Sequence, residues 1–133
     1  MSSEPEFRLL RVDRLRGHEE FDPHKVDELV GELLRTGEFV DPIWVARGSW
    51  VILNGHHRVE AVRRLGLKRI PAWVFDYDGD SVDLERWSPG PPIEKSEVVR
   101  RAHHGRPFPP KTTRHRLRID LPRRTVPLAE LEN

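Results

Sequence analysis

The 133-residue chain contains no cysteine, which excludes a thiol nucleophile, a disulfide framework and cysteine-ligated zinc. That absence fits a cytoplasmic location. No run of 18 apolar residues occurs, so no membrane span is expected, and Met1–Phe7 lacks the apolar centre of a signal peptide. An excess of one charge is also missing: 23 basic and 22 acidic residues leave a net charge of +1, which does not by itself favour a polyanionic partner. Hydrophobic residues make up only 36% and charged ones 34%, so the core must be compact and the surface polar.

The length suits a single domain over 1–133, with its core over about residues 7–121 and with 1–6 and 122–133 less ordered. Charge is unevenly placed. Asp and Glu dominate Glu19–Glu38, while Arg, Lys and His crowd Arg100–Arg124. Six of the 12 prolines fall between Pro89 and Pro110, marking that stretch as rich in loops.

Phe7–Leu15 alternates weakly and predicts a strand, followed by a loop through Gly17–His18. Asp22 before Pro23 is an N-cap with proline at the first helical position. Val26, Leu29, Val30, Leu33 and Leu34 then recur at helical spacing up to the capping Gly37. Pro42–Ala46 and Trp50–Leu53, joined by Arg47–Gly48–Ser49, predict a hairpin. A second helix carries Val59, Val62 and Leu65 and closes at Gly66; Ile70–Phe75 predicts a further strand and Asp76–Asp80 an acidic turn. Glu94–His103 predicts a third helix, Gly105–Arg114 irregular chain, Leu117–Leu121 a short strand, and Val126–Leu131 a frayed tail.

Val51-Ile-Leu-Asn-Gly-His-His-Arg58 carries the most information. A strand ends, a glycine permits close backbone approach, and a helix begins. The first N–H groups of that helix lack internal partners and sit at the positive end of its dipole, which suits phosphate. Arg58 adds a cation one turn in, and His56 and His57 offer donors or proton transfer. Neighbouring histidines on a helix diverge, so joint metal ligation by His56 and His57 is not expected. Pro109-Pro-Lys-Thr-Thr-Arg-His115 gathers ammonium, hydroxyl, guanidinium and imidazole groups able to grip phosphate or carboxylate. Gly17-His-Glu-Glu20 supplies a carboxylate pair that could act as a general base.

Together these stretches resemble the ParB/sulfiredoxin-like superfamily and, within it, the free serine kinases that phosphorylate L-serine with ADP. The likeness runs through most of residues 7–131, and Lys111–His115 is its most specific part. It implies an α+β fold, a compact domain with a small mixed sheet flanked by about three helices and the central helix N-terminus as phosphate site. It also implies transfer from ADP or ATP, with Mg²⁺, to L-serine, giving O-phospho-L-serine, with no nucleic acid or membrane involved.

Residue by residue, the resemblance assigns Gly55, His56, His57, Arg58, Lys111 and Thr112 to the nucleotide phosphates. Trp87, Thr113, Arg114 and His115 go to the amino acid and nearby phosphate. Glu20, with Glu19 as the alternative, becomes the catalytic base, assisted by His57. The chain departs from the family at Asn54, where the kinases carry an aspartate implicated in handling Mg²⁺; an amide oxygen can still ligate Mg²⁺ or orient its water. It also has little chain between Trp87 and Pro109. A ParB-like nucleotide-binding regulatory or DNA-binding protein is the alternative, although no helix-turn-helix pattern follows the central helix. Sulfiredoxin chemistry is excluded by the missing cysteine.

Overall fold

The computed structural model describes residues 5–133. Its centre is a mixed four-stranded sheet in the order β1-β5-β3-β4, formed by β1 (Glu6–Arg11), β3 (Ile43–Ala46), β4 (Ile52–Asn54) and β5 (Arg69–Phe75). β1 runs antiparallel to β5, β3 parallel to β5, and β4 antiparallel to β3. Parallel neighbours need a long crossover, and here β4 and α2 (His56–Arg64) supply it between β3 and β5.

Both faces of this sheet are covered at its centre, so β3 and β5 are apolar on both sides. Ile43, Val45, Ile52, Ile70, Ala72 and Val74 face α2 and α1 (Pro23–Thr36), meeting Val26, Leu33, Val59 and Val62. Ala46, Leu53, Trp73 and Phe75 face the opposite way, towards α3 (Lys95–His104) and the β6–β7 ribbon (Val82–Arg86 with Thr113–Leu117). The strand period of two therefore sends alternate residues of β5 into two separate cores.

The α1 boundaries follow their sequence signals: the Asp22 carboxylate accepts the His24 N–H at 2.9 Å, and Gly37 closes the helix in the left-handed conformation. The hairpin, central helix and third helix also lie where the periodicity places them. The first strand is shorter than expected, because Val12–Arg14 forms a 3₁₀ turn.

Four strands escape the sequence reading, one of them in the tail. β2 (Glu38–Val40) is short and one-sided; three of the five residues of β6 are charged and it follows an acidic turn; β7 begins inside the segment read as irregular. In β7 the inward positions are Thr113 and His115 and the outward ones Arg114 and Arg116, so polar residues mask the alternation. The tail expected to be less ordered is instead part of the core. β8 (Thr125–Pro127) pairs with β2, and Val126 and Leu131 are buried in the α1/α2 cluster.

Leu131 is fully buried, whereas Leu34 is 66% exposed. Leu131→Ala should therefore cost about 3 kcal/mol in denaturant unfolding, and Leu34→Ala less than about 0.5 kcal/mol.

Candidate active site

The end of β4, the start of α2, the Gly17–Asp22 segment and β7 converge on one cleft of about 470 Å³. Its lining includes Glu19, Trp44, Asn54, Gly55, His56, His57, Trp87, Thr113, Arg114 and His115. Most of the residues singled out by sequence thus meet in one place. Arg58, Lys111, Thr112 and Glu20 do not line it.

Gly55 is required by the path of the chain. It has φ of 111°, and a Cβ there would lie 2.4 Å from Cγ2 of Ile43. The close approach is to β3, and it seats the N-terminus of α2 on the sheet. The N–H groups of His56, His57 and Arg58 open that helix and have no acceptors within it. They present the positive end of α2 to the cleft.

The side chains of the motif behave otherwise than the sequence suggests. His56 turns inward, and its Nε2 accepts the backbone N–H of His18 at 3.1 Å. Nε2 of His57 accepts the backbone N–H of Asp22 at 2.9 Å. The two imidazoles thus fasten both ends of the Gly17–Asp22 segment, and neither Nε2 is available as a phosphate donor. Burial lowers the affinity of both rings for a proton, that of His56 well below its ordinary value, with His18 nearby adding to the effect.

Arg58 folds back along α2 and is spent structurally. It donates to the carbonyl of Asp41 and, at 3.1 Å, to Oδ1 of Asn54. The Asn54 oxygen expected to serve Mg²⁺ is therefore already engaged. Among the described residues no three His, Asp or Glu side chains gather to hold a metal ion. The residues present do not fit a protein-held magnesium.

The carboxylate in the cleft is Glu19, not the favoured Glu20. Oε1 of Glu19 accepts the N–H of Thr112 at 3.0 Å, the N–H of Thr113 at 2.9 Å and stands 3.0 Å from the Thr113 hydroxyl. Glu20 is exposed and points to a neighbouring cavity of about 340 Å³, which Glu19 also lines. The Thr112 hydroxyl donates to the Pro109 carbonyl at 2.7 Å and closes its own turn. The hydroxyls expected to grip phosphate and carboxylate are both committed inside the protein, and Lys111 is exposed at a left-handed turn.

At the rim, the Arg114 guanidinium lies 4.5 Å from the centre of the Trp87 ring, which is 57% exposed. Behind the cleft, His18 and His115 are buried with ring centres 5.5 Å apart, and Tyr77 Oη is 2.7 Å from Nε2 of His115. Burial pushes His18 down to about 4 and His115 down to about 3, while it raises Tyr77 above its ordinary value. Sequence reasoning overlooked His18 and Tyr77 as members of this cluster. The alternation Thr113-Arg-His-Arg116 was the available signal, since a strand period places Thr113 and His115 together on one face.

Residues 4–83 match the ParB N-terminal domain family. The chain belongs to that family. This ParB-type chain is 35% identical over 85 residues to an ATP-dependent L-serine kinase of Staphylothermus marinus, covering 61% of this chain and 34% of the kinase. It is 41% identical over 75 residues to a ParB-like protein of Sulfolobus acidocaldarius, covering 56% of this chain and 37% of that protein. The matches thus span little more than a third of these relatives' lengths. A free serine kinase solved in complex with AMP superposes with a TM-score of 0.82 at 18% identity, covering 98% of this chain and 95% of that one. The α+β fold is therefore that of a known architecture. No helix among the described residues is long and apolar enough to cross a membrane.

The buried rings make acid stability measurable. His18 and His115 titrate near 6.5 when unfolded but near 4 and 3 when folded. The unfolded chain then binds more protons between those values, so stability is complete above 6.5 and falls as the pH drops through it. At about pH 5 each ring should cost about 2 kcal/mol relative to neutral pH. Urea midpoints that stay constant between neutral pH and about pH 5 would contradict neutral buried rings.

Proposed function

We propose that this chain is a free amino-acid kinase that transfers a phosphoryl group from ADP or ATP to the hydroxyl of L-serine, giving O-phospho-L-serine. The observation that carries this reading is the meeting, in one cleft, of a carboxylate with a helix N-terminus and a rim arginine. The names of the Staphylothermus kinase and of the AMP-bound serine kinase support it.

In this reading the N–H groups at the start of α2 hold the transferred phosphate, because their partial positive charge lies where negative charge is carried. Glu19 replaces Glu20 as the base. It takes the proton of the serine hydroxyl as that oxygen bonds to the terminal phosphorus; the bridging P–O bond breaks and its electron pair leaves with the nucleotide. ADP would leave AMP and ATP would leave ADP. Arg114, held over the Trp87 ring, pairs with the serine carboxylate, a planar match for a guanidinium. Asn54 and its neighbours form no cage for magnesium, so any magnesium in the reaction would be held by the nucleotide phosphates. The reaction then depends on positioning and charge, which a small domain can supply. A cytoplasmic setting, where adenine nucleotides and free serine coexist, belongs to the same proposal.

A second reading, a ParB-like nucleotide-binding regulator without turnover, draws on the relative named ParB-like and on the heavy hydrogen bonding of Glu19. DNA binding through a helix-turn-helix is not favoured, because α3 leads into a turn and β7.

Incubation with L-serine, magnesium and either ADP or ATP, followed by phosphorus NMR, should reveal phosphoserine. Absence of product from serine, threonine and homoserine with both donors would defeat the kinase reading. Glu19→Gln keeps an acceptor for the Thr112 and Thr113 N–H groups and should lower kcat at least about 100-fold. Glu20→Gln should change it less than about threefold. Arg114→Ala should raise the KM for serine about tenfold or more while affecting nucleotide binding less.

A further inference from the structure

The Thr113 side chain offers one hydroxyl proton and lies between two groups that can each accept it. Its Oγ1 is 2.8 Å from Nε2 of His18 and 3.0 Å from Oε1 of Glu19. The state of His18 follows from its other contact. Nδ1 of His18 lies 2.8 Å from the Ile52 carbonyl oxygen, which can only accept, so Nδ1 carries the hydrogen. Burial keeps the ring neutral above about pH 4. A neutral ring protonated at Nδ1 presents a lone pair at Nε2, aimed at the Thr113 hydroxyl.

The Glu19 carboxylate is the competing acceptor. When the proton points to His18, Oε1 of Glu19 faces a hydroxyl oxygen with no hydrogen between them, and its negative charge loses a partner. When the proton points to Glu19, Nε2 of His18 is left bare in the interior. Neither arrangement satisfies both acceptors.

We infer that the Thr113 hydroxyl is a two-position switch between His18 and Glu19, and that His18 is a positioning residue that makes Glu19 a stronger base by competing for that hydrogen bond. Protonation of Glu19 resolves the competition. Once Glu19 has taken the serine proton on its other oxygen, its demand on Thr113 weakens and the hydroxyl settles on His18. The protonated carboxyl is thereby favoured over the ionised one, which is the direction the attack step requires. No proton leaves the switch in this step, because the transferred one stays on Glu19 and the hydroxyl hydrogen only reorients.

The charged groups that face this cluster are Arg114 and Arg116 in the cleft, Glu20, Glu60 and Arg63 in the neighbouring cavity, and Lys95 beyond His115; the rings that touch His18 carry none. His18 meets the edge of His56 at 4.6 Å between ring centres, and His115 at 5.5 Å, and both of those rings are held neutral by burial. His115 is itself occupied by Tyr77, and Phe108 closes the remaining side of His18. The carboxylate in the hydrogen-bond chain is Glu19.

Calling Glu19 the base rests on the kinase reading; the sharing of the hydroxyl proton does not. The test therefore uses two readouts on the full chain. The first is the pH dependence of kcat/KM for serine in the wild type, His18→Asn, Thr113→Val and Thr113→Ser. Asparagine keeps an N–H near the Ile52 carbonyl but removes the Nε2 acceptor, committing the hydroxyl to Glu19. The acid limb should move down by about one pH unit and kcat should fall about tenfold. Thr113→Val removes the donor and should move the limb the opposite way, and Thr113→Ser should restore the wild-type profile. Shifts in the same direction, or none, would overturn the inference.

The second readout is the nitrogen NMR signal of Nε2 of His18, which requires no turnover. It should move towards a more strongly hydrogen-bonded position in Glu19→Gln and away from it in Thr113→Val. A signal unmoved by both substitutions would overturn the inference even in an active enzyme. If no protein shows turnover, the kinase reading fails and the nitrogen signal alone decides the switch; it decides equally if His18→Asn does not fold.

Discussion

The Thr112 and Thr113 N–H groups converge on Oε1 of Glu19, with the Thr113 hydroxyl 3.0 Å away, and tie the loop before α1 to the start of β7. The tie closes the cleft, because these segments belong to opposite sides of it. Backbone bonds reinforce the same seam: Phe108 donates to the His18 carbonyl at 2.7 Å and Glu20 to the Phe108 carbonyl at 2.8 Å. Carboxylate acceptors of backbone N–H groups form stronger bonds than neutral pairs. A residue able to act on substrate is therefore also a fastening of the fold, and Glu19 has one oxygen for each duty.

The histidines divide in the same manner. His56 and His57 occupy the most suggestive positions in the sequence, yet each spends its Nε2 on a backbone N–H of the Gly17–Asp22 segment. They hold the loop that carries Glu19 against the start of α2. Arg58 likewise braces Asn54 and the Asp41 carbonyl. The motif's side chains thus build the frame, and its backbone faces the cleft. Arg114, 4.5 Å from the centre of the Trp87 ring, lines the opening together with Arg116.

Much of this could be read from the chain, for identifiable reasons. Helix α1 has an N-cap, a proline and a glycine stop, and those signals are local. The strand–Gly55–helix junction is likewise visible, since only glycine tolerates its φ and the nearness of Ile43. What could not be read depends on partners distant in sequence. Whether Glu19 or Glu20 enters the cleft depends on Thr112 and Thr113, some ninety residues away, and adjacent residues carry no spacing signal. Val126 and Leu131 look like tail residues until β8 finds β2. Polar inward positions in β7 hid that strand for the same reason: hydrophobic periodicity cannot register a buried threonine and histidine that are satisfied by His18, Glu19 and Tyr77.

The positive end of α2 is made of peptide dipoles, and dipoles do not titrate. Around it stand four imidazoles, those of His18, His56, His57 and His115, each holding its proton less readily than in water. A cleft whose attraction came from imidazolium charge would strengthen and fade across the neutral range. The dipole's share of the attraction does not vary with pH, so acidity reaches that share through the survival of the frame.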